Sequence, residues 1–152
     1  MSRAFVKEQD GVDELPDRLI SEHPNLVTAE GLAQIETEVA RLDAAHAAAQ
    51  AGGDRSEMAA TARNLRYWSA RLATAELVPP AADTTSVQFG STVTIARDDG
   101  RKQTYRIVGE DEADPARGSI SYVSPLARAL AGKTIGDSVR VAGGEAEIIA
   151  IT

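Results

Sequence analysis

Two apolar series with helical steps, separated only by Ala51-Gly52-Gly53, constrain this chain more than any other feature. Leu32, Ile35, Val39, Leu42, Ala45 or His46 and Ala49 form the first series. Met58, Thr61, Leu65, Trp68, Leu72 and Ala75 form the second. Steps of three and four put each set on one seam of a helix, with polar residues on the flanks. The short connection leaves room for a tight reversal and nothing more. The spacing therefore predicts an antiparallel coiled-coil hairpin over residues 28–77, packed seam against seam, with its tip at 51–57. Thr28 is a good N-cap for the first arm. Each arm of about 23 residues spans roughly 35 Å at a rise of about 1.5 Å per residue.

Charge separates the two arms. Residues 28–50 carry Glu30, Glu36, Glu38 and Asp43 against Arg41, whereas 54–77 carry Arg55, Arg63, Arg66 and Arg71 against Asp54, Glu57 and Glu76. The acidic arm and the Arg-rich arm are expected to pair across the flanks. A two-helix coil has little core of its own, so its base needs an anchor.

Val78-Pro79-Pro80 stops the second helix and opens a linker over 78–86. Beyond it the period becomes two. Val87-Gln88-Phe89, Thr92-Val93-Thr94-Ile95, Thr104-Tyr105-Arg106-Ile107-Val108 and Ser119-Ile120-Ser121-Tyr122-Val123 read as strands, with Asp98-Asp99-Gly100 as a hairpin turn. Ser124 caps a short helix with Pro125 at its first position and Gly132 as its stop. Ser138–Val141 and Ala146–Ile151 make a last hairpin across Gly143-Gly144. Residues 87–152 are thus expected to form a compact α+β domain, an antiparallel sheet wrapped on one short helix. Residues 1–27, polar and interrupted by Pro16 and Pro24, are expected to be an extended or disordered tail, with Phe5, Val6, Leu15, Leu19 and Ile20 available for weak docking.

Composition excludes several classes. Aromatics make up only 4% of 152 residues, so the core is aliphatic and divided. A net charge of −7 argues against a general duplex-binding surface. The absence of cysteine removes disulfides, thiol catalysis and Cys-type zinc sites. His23 and His46 have no third ligand type grouped near them, which disfavours a metal site. The start lacks an apolar leader region and no apolar run reaches membrane-spanning length, so a soluble, cytoplasmic, monomeric protein without membrane or independent sequence-specific nucleic-acid partners is expected.

The strings VQFGSTVTI, YRIVGEDEADPARGSIS, SPLARALAGKTIGD and AEIIAI resemble the C-terminal domain of the Gre-type transcription elongation factors, and LVTAEGLAQIETEVARL resembles the start of their helical hairpin. The resemblance covers about residues 26–152. It implies an FKBP-like C-terminal domain that grips the rim of the RNA polymerase secondary channel, and a finger that enters that channel. It also implies that an acidic fingertip pair helps hold a catalytic Mg²⁺ shared with the polymerase, which then cleaves its own backtracked RNA. Asp54 and Glu57, in GDRSE, match that pair. Arg55 and Met58 depart from the family pattern, and both arms are short.

Hard oxygen ligands suit Mg²⁺, and two-metal phosphodiester hydrolysis needs a second ion held near the first. The same two acids also read as a helix start, with Asp54 as N-cap and Glu57 at the third position. Both readings stand together at this stage. For the polymerase contact, the matching segment is Val123-Ser124-Pro125-Leu126, where Ser124 and Pro125 serve equally as helix cap and first-turn proline. Glu110-Asp111-Glu112 with Asp114 reads as a solvated acidic loop or a cation or basic-partner site. No intrinsic catalytic residues are expected: the protein is not a stand-alone enzyme but an aid to the polymerase's own nuclease. The alternatives are a non-cleaving channel binder that competes with cleavage factors, like the short-fingered nucleoside diphosphate kinase regulators (Rnk-like), and, less favoured, a prolyl isomerase built around Phe89, Tyr105 and Tyr122.

Overall fold

A computed structural model describes residues 14–152. Phe5 and Val6, two of the proposed docking residues, lie outside the described residues. The chain divides into two compact units, one of residues 14–21 and 35–73 among those described, the other of 22–34 and 74–152.

The first unit is built on helices α1 (Ala29–Gly52) and α2 (Arg55–Thr74). Ile35, Leu42 and Ala49 are buried at seven-residue intervals, which keeps one stripe of α1 turned inward. On α2, Thr61 is buried and Met58, Leu65, Trp68 and Leu72 are half-buried. A polar bond sets the register of the pair, His46 Nδ1 lying 2.9 Å from Thr61 Oγ1. The Thr61 hydroxyl also lies 2.7 Å from the Glu57 carbonyl.

The flanks pair differently from the expectation. Residues 14–21 form neither helix nor strand, and Arg63 and Arg66 of α2 turn to them. Arg63 Nε donates to the Pro16 carbonyl at 2.9 Å. Arg66 donates to the Leu15 carbonyl at 3.0 Å and to Asp17 at 2.6 Å. Arg18 in return donates to Asn64 at 3.1 Å and stacks its guanidinium 3.9 Å from the Tyr67 ring centre. Tyr67 and Trp68 meet edge to face at 5.2 Å. The physical reason is reach: an extended segment exposes carbonyl oxygens that a guanidinium fork can bridge. On α1, Glu38 is already engaged by Arg41 at 3.0 Å in its own helix. Leu19 remains 95% exposed and does not dock.

In the second unit α2 ends before the predicted hairpin boundary. Strands β1 (Leu26–Val27) and β2 (Glu76–Leu77) pair in parallel, because Glu76 and Val78 donate their N–H groups to the Asn25 and Val27 carbonyls at 2.8 and 2.9 Å. Pro79 favours the same extended backbone at Val78. The main sheet holds β3 (Thr92–Arg97), β4 (Lys102–Val108), β5 (Ser119–Ser121), β6 (Ser138–Val141) and β7 (Gly144–Ile151), in the order β5-β4-β3-β7-β6. It is a mixed sheet, a correction to the antiparallel expectation: β5 runs parallel to β4. The 3₁₀ turns Glu110–Glu112 and Pro115–Arg117 carry the chain back between those strands. Val87-Gln88-Phe89 is not a strand. Val87 instead bonds with the loop after the helix α3 (Pro125–Leu130), to Lys133 and Gly132 at 2.9 Å, and buries its side chain. The core is aliphatic, centred on Val93, Ile95, Ile107, Ile120, Leu130 and Ile148.

The acidic loop is not simply solvated. The Glu112 carboxylate accepts from the Thr28 N–H and the Gly109 N–H, each at 3.0 Å, and from the Thr28 hydroxyl. Thr28 Oγ1 in turn accepts from Gly31 N at 3.0 Å, the cap that starts α1. Arg106 reaches Glu30 at 3.3 Å, and the Tyr122 hydroxyl donates to the Pro24 carbonyl. Residues 22–34 are thereby fastened to the sheet.

Candidate functional site

The reversal between α1 and α2 is made by Gly53 at φ +66°, a left-handed conformation that suits glycine. Gly53 N donates to the Gln50 carbonyl at 3.2 Å and Asp54 N to the Ala49 carbonyl at 3.0 Å, closing the end of α1. Asp54 Oδ1 then accepts from Glu57 N at 3.1 Å, capping α2. The reciprocal half of a capping box is absent, since the Asp54 N–H is spent on Ala49. The Glu57 carboxyl is therefore not drawn back onto the backbone. Residues 51–57 are all exposed. The structure thus brings Asp54 and Glu57 together at one exposed tip, with Arg55 between them. Glu57 also contributes, after the Glu38 hydrogen bond, to raising the Arg41 guanidinium above its ordinary value. Among the described residues no group of three His, Cys, Asp or Glu side chains is arranged to hold a metal. The two tip carboxylates offer hard oxygen donors of the kind that suits Mg²⁺.

A second surface belongs to the sheet domain. Ser124 Oγ accepts from Ala127 N at 3.3 Å, so Ser124 caps α3 with Pro125 at its first position. Beside this turn lies an open cleft of about 600 Å³. Ser124, Pro125 and Leu126 line it together with Ile120, Val141 and Ala142. Arg97 and Arg140 complete the lining. Val123, the fourth residue of the matching segment, does not line the cleft; its N–H bonds to Ser121 Oγ at 3.2 Å. Phe89 and Tyr122 stack edge to face at 5.6 Å, but neither these rings nor Tyr105 line the cleft, as an aromatic isomerase pocket would require.

Residues 82–152 match the family model described as transcription elongation factor, GreA/GreB, C-term. That match spans the whole β3–β7 sheet with its helix. The sheet domain is thus similar to the C-terminal domain of the GreA/GreB factors. Over 103 residues the chain is 44% identical to the transcription elongation factor GreB of Neisseria meningitidis, covering 60% of this chain and 63% of that protein. It is 48% identical over 85 residues to the transcription elongation factor GreA of Paracoccus denitrificans, covering 53% and 54%. The chain thus spans somewhat over half the length of these curated relatives. GreA factor homolog 1 (Gfh1) of Thermus thermophilus superposes with a TM-score of 0.42 and 18% identity over 86% of this chain and 99% of that one, a likeness too loose to carry function.

Two groups of residues in this GreA/GreB relative escaped the sequence reading. Arg97 and Arg140 stand in separate strands, and only the fold brings them to one cleft. Arg18 and Asp17 sit in a polar segment without period; the available signal was its mixed charge opposite an Arg-rich helix. Among the described residues no helix is long and apolar enough to cross a membrane.

Proposed function

We propose that this chain is a transcription elongation factor that binds RNA polymerase at the rim of its secondary channel and stimulates cleavage of backtracked RNA. The observation that carries this reading is the exposed pair Asp54 and Glu57 at the reversal of a helical hairpin, in a chain whose sheet domain is similar to that of the GreA/GreB factors. In this reading Asp54 and Glu57 hold an Mg²⁺ ion jointly with the polymerase. When bound, that ion supplies Lewis-acid stabilisation of a phosphodiester and an activated water. The chain's own residues do the positioning. Asp54 Oδ1 is fixed by the cap, which leaves Oδ2 directed by a short, ordered side chain. Glu57, one turn into α2, adds a second carboxylate on the same end. Val123, Ser124, Pro125 and Leu126 supply the polymerase contact on the sheet domain. The protein is an aid to the polymerase nuclease and not an enzyme alone.

Arg55, flanked by the two acids, favours one second reading: a channel binder that competes with cleavage factors without cleaving. Stalled, backtracked elongation complexes with Mg²⁺ separate the two. Added protein is expected to shorten the RNA, and Asp54→Asn with Glu57→Gln to abolish the effect while polymerase binding persists. Binding without shortening would establish the competitor; absence of binding would overturn both.

A further inference from the structure

Going back along the chain from Arg18, the arm passes along α2 toward the reversal. Arg18 lies on Asn64 and Tyr67, and the Pro16 carbonyl accepts from Arg63. Glu14 and Leu15 then share a cavity of about 360 Å³ with Met58, Ala59 and Ala62 of α2. His46 and Gln50 of α1 also line it, together with Arg66. Much of the polar lining is already engaged. Arg66 holds Asp17 and the Leu15 carbonyl, and His46 lies against the Thr61 hydroxyl. What the cavity offers an occupant is therefore chiefly the apolar surface of Leu15, Met58, Ala59 and Ala62. Ala59 and Ala62 stand one turn apart, and their short side chains leave the room. A cavity of about 150 Å³ holds a benzene ring, so this one has space for an aromatic side chain and a smaller neighbour.

The cavity lies where the described residues begin, so the chain preceding Glu14 leaves from its edge. Residues 1–13 contain one apolar run, Ala4-Phe5-Val6, and Phe5 is nine residues before Glu14. Nine residues span at most about 30 Å, enough to return to the cavity, and Gly11 is available for the turn. A tether this short sets an effective concentration on the order of millimolar, so a weak seat is sufficient to be filled. Lys7, two residues beyond Phe5, is opposite in charge to Glu14 in the lining.

We infer that this cavity is the seat of Phe5, which the chain's own first 13 residues place between the two arms of the hairpin. Phe5 there ties α1 to α2 beside Met58, the residue next to Glu57. The inference concerns the finger alone and does not depend on the polymerase reading.

The sequence supplies its own probes, since the chain has two Phe residues, Phe5 and Phe89, and two Met residues, Met1 and Met58. The full-length protein is labelled with fluorophenylalanine and methyl-labelled methionine and followed by NMR. The Phe5 fluorine signal, assigned by its loss in Phe5→Ala, is expected away from the free amino acid position and shielded from a dissolved paramagnetic agent. The Met58 methyl is expected to show contacts with the Phe5 ring and an upfield ring-current shift that Phe5→Ala abolishes. Ala62→Leu, which fills the cavity, is expected to return the Phe5 signal to the free position while the Phe89 signal stays. Circular dichroism checks that this variant keeps its helices; if it does not, Phe5→Ala alone decides through Met58. A Phe5 signal at the free position, or a Met58 methyl indifferent to Phe5→Ala, overturns the inference. So does a Phe5 signal unmoved by Ala62→Leu in a folded protein, because the ring then sits elsewhere. A shift that disappears on dilution assigns the ring to a second copy and overturns seating within one chain.

Discussion

Asp54 has two separable duties, because the cap needs an oxygen acceptor and a metal ligand needs a charge. Asp54→Ala removes both and is expected to lower stability by about 1 kcal/mol, read as a lower melting temperature. Asp54→Asn keeps the acceptor, so its melting temperature should stay near the original while RNA cleavage falls. Gly31 offers a second residue-scale test. A β-carbon there would collide with the Glu112 carboxylate, which cannot swing away without losing Thr28 and Gly109. Gly→Ala inside a helix ordinarily stabilises by about 1 kcal/mol. Here Gly31→Ala should destabilise, whereas in the Glu112→Ala background it should stabilise. A double-mutant cycle by chemical denaturation reads the change of sign.

At the scale of elements, the hairpin depends on its strap. Arg18 touches Tyr67 and Asn64 on α2, and its charge adds to that of Arg41 in holding the Glu38 carboxyl below its ordinary range. Removing it as Arg18→Ala should cost about 1 kcal/mol, visible as faster hydrogen exchange along α2. The helices were legible in the sequence because Ile35, Leu42 and Ala49 repeat with a period that only a helix turns into one face. The cap at Asp54 was legible for a similar reason, since capping is a contact over three residues. The strap was not, because Pro16 and Leu15 contribute backbone oxygens, which leave no mark in side-chain pattern. The parallel strand β5 was hidden as well. Period two announces a strand but not its direction, which the 3₁₀ turns after Val108 decide. Val87 misled because an apolar residue plugging a core looks the same as one in a strand. Ser124 through Leu126 could be placed on a helix start, but the cleft beside them required Arg97 and Val141 from distant strands.

The molecule as a whole should be acid-sensitive. Glu38 is held low by its hydrogen bond to Arg41, Asp99 by the Arg101 N–H, Asp137 by the Thr134 N–H and Asp83 by Thr85. Each carboxyl is lower in the folded chain than in the unfolded one, so its contribution is complete above the ordinary carboxylate range and fades as pH falls through the folded value. Melting temperature should therefore hold steady from neutrality to about pH 5 and decline below roughly pH 4. A decline on the alkaline side of neutrality instead would contradict this assignment.

The arginines that hold residues 14–21 reach largely for main-chain oxygens, those of Leu15 and Pro16. Every amino acid carries such an oxygen, so these contacts place almost no demand on which side chains stand at 15 and 16. Natural drift can rewrite those two positions while the docking survives, provided Arg63 and Arg66 are kept. The constraint falls on the receiving helix and on Asp17 and Arg18. In a lineage of related chains the arm would diverge in letters long before it diverged in place, and a comparison of sequences alone would mistake it for unselected chain.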